Sequence, residues 1–167
     1  MNYLAHLFLA GDTPESRIGN LAGDFVKGRL GDSLDPAIRA GIVEHRKIDA
    51  FTDTHPRTAA FRRVLVPEFG HYARIIGDVF FDHFLANGFG RYSESTLEEF
   101  LRHVYSQIDP RASSLPGRLR LIYPRIRDEG WMLSYRTIDG IRVALENLSR
   151  RLSRRPQLAP AVRHLTD

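Results

Sequence analysis

The chain of 167 residues contains no cysteine. Neither a disulfide framework nor a thiolate metal site is therefore available, and any bound metal must be held by imidazole and carboxylate. Long apolar runs are missing as well, since none approaches the roughly 18 residues that a membrane-spanning helix needs. The first residues have neither the basic segment nor the small-residue cleavage site of a secretory signal, and a cytoplasmic location is expected. There is no Gly-rich phosphate loop, no GxGxxG after a strand and no GxSxG elbow, which removes the nucleotide-binding and serine-hydrolase chemistries built on those loops. Internal repeats and low-complexity tracts are absent too.

What remains is the composition of an ordinary globular protein, 43% hydrophobic and 26% charged. The length suits one domain over residues 1–167, burying roughly two-thirds of its unfolded surface. A net charge of +4 and a pI of about 9.8 favour an anionic partner, whether nucleic acid, a phosphorylated substrate or an acidic protein. Arg150, Arg151, Arg154 and Arg155, together with Arg46 and Lys47, are the candidate partner-binding groups. The competing reading of the arginine run is a solvated helix end, where cations complement the dipole.

Residues 74–86, RIIGDVFFDHFLA, form the stretch around which the rest is organised. Ile75, Ile76, Val79, Phe80, Phe81, Phe84 and Leu85 cover most of a helix circumference, so this helix is expected to be buried almost all round. Asp78 and Asp82 share one face at helical spacing, and His83 lies about 100° round from it. Burying such groups costs on the order of several kcal/mol unless a cation or hydrogen-bond partners compensate. Helix cap, ion pair and functional site all satisfy that requirement.

The remaining segments also read as helices. Residues 1–10 are apolar around His6 and suit a short helix or a buried strand. A helix over 15–27 carries Asp24 beside its apolar stripe. Asp35-Pro36 starts a helix to about residue 52, on which His45 and Asp49 lie at i and i+4. Residues 57–66 form a short basic helix, and Pro67 restarts the chain into the organising helix. Ser95 with Glu98 reads as a capping box for a helix burying Leu97, Leu101, Val104 and Ile108. After a linker at 109–117, Pro124 makes 118–127 an irregular helix, and 138–152 is amphipathic. The tail from Pro156 has too little apolar content for another solid helix. The expectation is an all-α, single-domain bundle of six or seven helices.

His6, Asp24, His45, Asp49, Asp78, Asp82 and His83 thus come from four segments that a bundle can bring together. Imidazole and carboxylate without thiolate suit Mn²⁺, Fe²⁺ or Zn²⁺, and Mg²⁺ less well as histidines accumulate. Such sites support hydrolysis at phosphorus by activating water and polarising a phosphoryl oxygen.

Five motifs, NYLAH (2–6), GNLAGDF (19–25), HRKIDAFTD (45–53), DVFFDHFL (78–85) and GWMLSYR (130–136), resemble in order and spacing the acyl carrier protein phosphodiesterases. This family is related to the HD-type metal phosphohydrolases. The resemblance covers roughly residues 1–155. It implies an HD-phosphohydrolase-like all-α fold, a Mn²⁺-dependent site and a place in fatty acid and lipid metabolism. The implied reaction is hydrolytic release of 4′-phosphopantetheine from the serine of holo acyl carrier protein.

On that resemblance His6, Asp24, His45 and Asp82 are expected as metal ligands, with Asp24 also catalytic. His83 is expected as a further ligand or as proton donor to the leaving serine oxygen. Asp49 and Asp78 would stand behind the ligands and orient the histidines. The family continues into a further aromatic-rich C-terminal helix that this chain, ending at Asp167, is expected to lack, and a homodimer would cover the surface so exposed. Two alternatives stay open: a phosphohydrolase of a nucleotide or small phosphoester, and a basic helical module binding nucleic acid. The second ranks behind a protein partner because no helix joins a basic stripe to a recognition motif.

Overall fold

The computed structural model describes residues 2–31 and 33–165; Met1, at the head of the first expected segment, lies outside them. Among the described residues there are nine α-helices and no strand. They are α1 (Tyr3–Leu9), α2 (Pro14–Ala22), α3 (Pro36–Thr54), α4 (Pro56–Phe69), α5 (Ala73–Asn87), α6 (Leu97–Ile108), α7 (Leu119–Asp128), α8 (Trp131–Ser134) and α9 (Ile138–Arg151). The all-α expectation holds. The count exceeds six or seven because residues 3–9 are helical and one extra turn, α8, follows α7. None of these helices is long and apolar enough to cross a membrane.

The organising stretch is α5, which packs against α1, α4, α8 and α9. Ile76, Val79 and Phe80 are fully buried, but Phe84 is 47% exposed, so the helix is not enclosed all round as expected. Asp35 caps α3 by accepting from the amides of Ala37 (2.8 Å) and Ile38 (3.2 Å), as its Asp-Pro signal predicts.

Three boundaries differ from expectation. Helix α2 stops at Ala22 rather than near residue 27, because the amides of Phe25 and Val26 both turn back onto the Ala22 carbonyl. Pro67 lies inside α4, and the chain breaks instead at Gly70, whose φ of 55° is disfavoured for other residues. The capping box is Thr96/Glu99, one residue later than Ser95/Glu98. Thr96 Oγ1 accepts from the Glu99 amide at 3.2 Å, and Glu99 Oε2 accepts from the Thr96 amide at 2.8 Å. The tail adds a 3₁₀ segment, Ala159–Leu165, which buries Ala161 and Val162 against the bundle.

Two glycines set how α2 meets α3. A Cβ on Gly19 would stand 2.5 Å from the Ile38 carbonyl oxygen and 2.6 Å from Gly41 Cα, so only a glycine pair permits this backbone approach. One turn further along both helices, Gly23 faces His45, and a Cβ there would lie 2.2 Å from the imidazole ring. The crossing therefore delivers the ring of His45 onto the end of α2.

Candidate functional site

Helix α1 carries His6, yet a seven-residue helix has almost no stability of its own. Tertiary contacts hold it at both ends. At its start Asn2 makes no side-chain cap; instead Asp82 of α5 accepts from the amides of Leu4 (2.8 Å) and Ala5 (3.0 Å). At its end the nearly buried Arg17 donates to the Leu7 carbonyl at 2.6 Å. Leu4 and Leu7 are fully buried between these anchors. His6 is thereby fixed without any contribution from the intrinsic helix propensity of its segment.

His45 is fixed from the other side. Its Nδ1 lies 2.8 Å from the Asn20 carbonyl, which can only accept, so this nitrogen carries the proton. Asn20 in turn is tied to α3, donating from Nδ2 to Glu44 Oε2 at 2.7 Å. His45 then presents its Nε2 to Asp49 Oδ2 at 3.4 Å and to Asp24 Oδ1 at 3.9 Å. His6 stacks on His45 with ring centroids 3.7 Å apart and places its Nε2 3.1 Å from Asp49 Oδ1. The other nitrogen of His6, Nδ1, is buried without a hydrogen-bond partner.

One carboxylate thus faces two imidazoles, and the donor atoms of His6, His45 and Asp49 lie within 4.8 Å of one another. Burial lowers the pKa of His6, helped by the neighbouring His45 and opposed by Asp49, so its ring is neutral near pH 7. Burial works to raise Asp49, but hydrogen bonds with His45 and His6 outweigh it and hold the carboxyl well below the usual carboxylate range. Two imidazoles and an ionised carboxylate thus converge with their ligand atoms close enough to hold a metal ion. The donor set fits a divalent ion of the Mn²⁺, Fe²⁺ or Zn²⁺ type. The carbonyl behind His45 is the outer support that metal-binding histidines ordinarily have.

The cluster lies at a cleft of about 800 Å³ to which Asp24, Asp49 and Asp78 contribute acids. Lys27, Arg74, Arg118 and Arg151 contribute cations, and His71 and Tyr3 complete the polar lining. A groove of about 340 Å³ opens beside it, between Trp131, Tyr135 and α9.

The expected site residues divide accordingly. His6 and His45 come together on Asp49, which stands among them rather than behind, and Asp24 lies 3.9 Å from His45. Asp82 does not join them. It is fully buried with both oxygens on α1 amides, and burial raises its pKa to about 7, while those amides and nearby Asp78 act in opposite directions. His83 is also apart from the cleft: its Nδ1 donates to the Tyr135 carbonyl at 2.7 Å, and Asn87 Nδ2 lies 3.1 Å from Nε2. Asp78 pairs with Arg62 at 3.2 Å rather than with a histidine. Among the basic candidates, Arg46 donates to the Val26 and Gly28 carbonyls and so secures the loop that carries Asp24. Arg150 lies beside Glu146 and Asn147. Lys47, Arg154 and Arg155 are exposed, and of all six only Arg151 lines the cleft.

Comparison with known proteins decides the family. The model of the family described as acyl carrier protein phosphodiesterase matches residues 1–167. The chain belongs to the acyl carrier protein phosphodiesterase family. A member from Serratia proteamaculans is 37% identical over 168 residues, covering all of this chain and 86% of the relative. Members from Yersinia pestis and Escherichia coli O139:H28 are each 36% identical, over 95% of this chain and 81% of theirs. No solved structure matches the chain significantly. Lys27, Arg74, Arg118, His71 and Tyr3 also line the cleft and were not among the expected site residues. Lys27, three residues from Asp24, and His71, seven residues before Asp78 and on the same face by helical spacing, carried local signals.

Proposed function

We propose that this enzyme hydrolyses the phosphodiester of holo acyl carrier protein, releasing 4′-phosphopantetheine and leaving the serine hydroxyl of the apo protein. The observation that carries the reading is the convergence of His6 and His45 on Asp49, which together with Asp24 lines a cleft bordered by cations. The phosphodiesterase names of the relatives support the same chemistry. In this reading His6, His45 and Asp49 hold a divalent cation, Mn²⁺ first among the candidates, and Asp24, half exposed, faces it from the open side. When bound, such an ion activates water and polarises a phosphoryl oxygen.

The chain's own groups do the rest. Lys27, Arg74, Arg118 and Arg151 draw the anionic diester into the cleft and steer an acidic carrier protein towards it. Asp24 is the exposed carboxylate next to the cluster, positioned to accept a proton from an attacking water. Asn20 and Gly23 keep the His45 ring in register. The cytoplasm is the site of action in this reading.

The direct test is to incubate the protein with holo acyl carrier protein, with and without Mn²⁺, and weigh the carrier protein. Loss of the phosphopantetheine mass only when metal is present is the expected result. An unchanged carrier protein mass with every divalent ion tried overturns the substrate assignment.

A further inference from the structure

We propose that the groove between Trp131 and α9 binds the pantetheine arm of the substrate while the phosphodiester lies in the cleft. This inference rests on the carrier-protein reading above. The two spaces share Asn2, Tyr3, Val79, Leu148 and Arg151, so the groove opens from the side of the cleft rather than from an unrelated surface. At about 340 Å³ it falls in the range of small-molecule pockets, which is about 300–1,000 Å³.

The chemistry changes across the junction. The cleft is lined by acids and four cations. The groove is walled by Trp131, Val143, Ala144 and Leu148, with the amides of Asn2 and Asn147 among them. Two acids also reach the groove, and both have partners. Glu129 accepts from Arg125 and from the Trp131 indole nitrogen, and Asp139 lies 3.5 Å from Arg142. Arg151 marks the boundary: its guanidinium sits over the Trp131 ring, 5.6 Å from the centroid, and lines both spaces.

The substrate changes in the same order. Its anionic diester leads into a neutral arm with a gem-dimethyl group, a hydroxyl, two amides and a thiol end. Apolar walls with two side-chain amides suit that arm and offer little to an extended anion. Arg151 meets the diester where the arm begins.

Trp131 is the sole tryptophan, so its emission reports on the groove without labelling. Free pantetheine, which carries no phosphate, is titrated into the full chain, and a saturable change in Trp131 emission is expected. Val143 is more than half exposed on α9, so Val143→Phe narrows the groove without burying a new side chain in the core. For that variant, kcat/KM on holo carrier protein divided by kcat/KM on bis(p-nitrophenyl) phosphate should fall about tenfold relative to wild type. A flat pantetheine titration, or a ratio within about threefold of wild type, overturns the groove assignment. Should wild type leave holo carrier protein intact, the proposed function falls, and the titration by itself decides the groove.

Discussion

Two regions of this bundle carry the same sequence signature and use it differently. Where α2 and α3 meet α1, His6 and His45 turn towards Asp49, and Asp49 and Asp24 line the cleft. Where α5 meets α1 and α8, Asp82 and His83 turn towards backbone, the acid to two amides and the imidazole to a carbonyl. Both regions set His and Asp side chains into helices with apolar faces, His45 and Asp49 at i and i+4, Asp82 and His83 side by side. The difference is that backbone groups complete the hydrogen bonding of the second pair, whereas the first turns its side chains onto one another. Spacing identifies buried polar groups, and only the partner decides whether they build or react.

The sharpest way to break this comparison is at Asp49. Asp49→Asn keeps the shape but removes the charge shared by two imidazoles. Hydrolysis should fall by at least about 100-fold and the upward shift in Tm on adding Mn²⁺ should nearly vanish. Activity and metal-dependent melting near wild type would show that the cluster is not the reactive region. At Asp82 the expected loss is one of stability. Asp82→Ala leaves two buried amides unpaired, at about 1–3 kcal/mol each. Denaturant unfolding should show that loss, while protein that remains folded keeps its Mn²⁺-induced shift. Retained stability with lost metal binding would move Asp82 into the reactive region.

Gly23→Ala joins the two effects. Its Cβ would overlap the His45 ring, and overpacking of this kind costs roughly 1–3 kcal/mol. Displacing the imidazole should also weaken metal binding by about 10–100-fold, read by metal titration.

The smallest effect is a matter of slope. Burial raises the Asp82 pKa to about 7, above the ordinary carboxylate value of about 4 in the unfolded chain. Between those values the folded state binds more protons than the unfolded one, so the Asp82 contribution to stability declines as pH rises from about 4 to about 7. Asp49, held below the usual range, contributes in the opposite sense: its stabilisation is complete above about pH 4 and is lost on acidification. Unfolding free energies of Asp82→Asn across pH 4–7 should rise relative to wild type with increasing pH. A constant offset between the two curves would deny Asp82 this titration.

Much of the fold was readable where one segment contained its own explanation. Asp35-Pro36 started α3, and the apolar spacing of α6 and α9 placed Leu97, Leu101, Ile141 and Leu145 in the core. The i, i+4 pair His45/Asp49 was likewise visible in one helix, and those two side chains meet. Asp82 was misplaced because its partners, the amides of Leu4 and Ala5, carry no side-chain signature and lie 78 and 77 residues away. Asp49 was set behind the ligands because nothing in HRKID reveals that His6 will stack on His45. The crossing of α2 and α3 was hidden for a related reason, since Gly19 and Gly41 have meaning only as a pair. Arg118 reaches the cleft from a segment with no chemical motif of its own, and Arg74 from the head of the organising stretch, four residues before Asp78.

The anchoring of α1 also orders events in time. His6 emerges well before α5, but the carboxylate that caps its helix is 78 residues from the Leu4 amide, and closing so long a loop costs chain entropy before it returns any contact. Until α5 has been made and docked, α1 has no reason to be helical, and His6 has no fixed distance from His45. The nascent chain therefore displays its histidines and acids as separate, weak binders. The cluster forms only with the folded bundle, so completing the tertiary structure and bringing His6, His45 and Asp49 together are a single event.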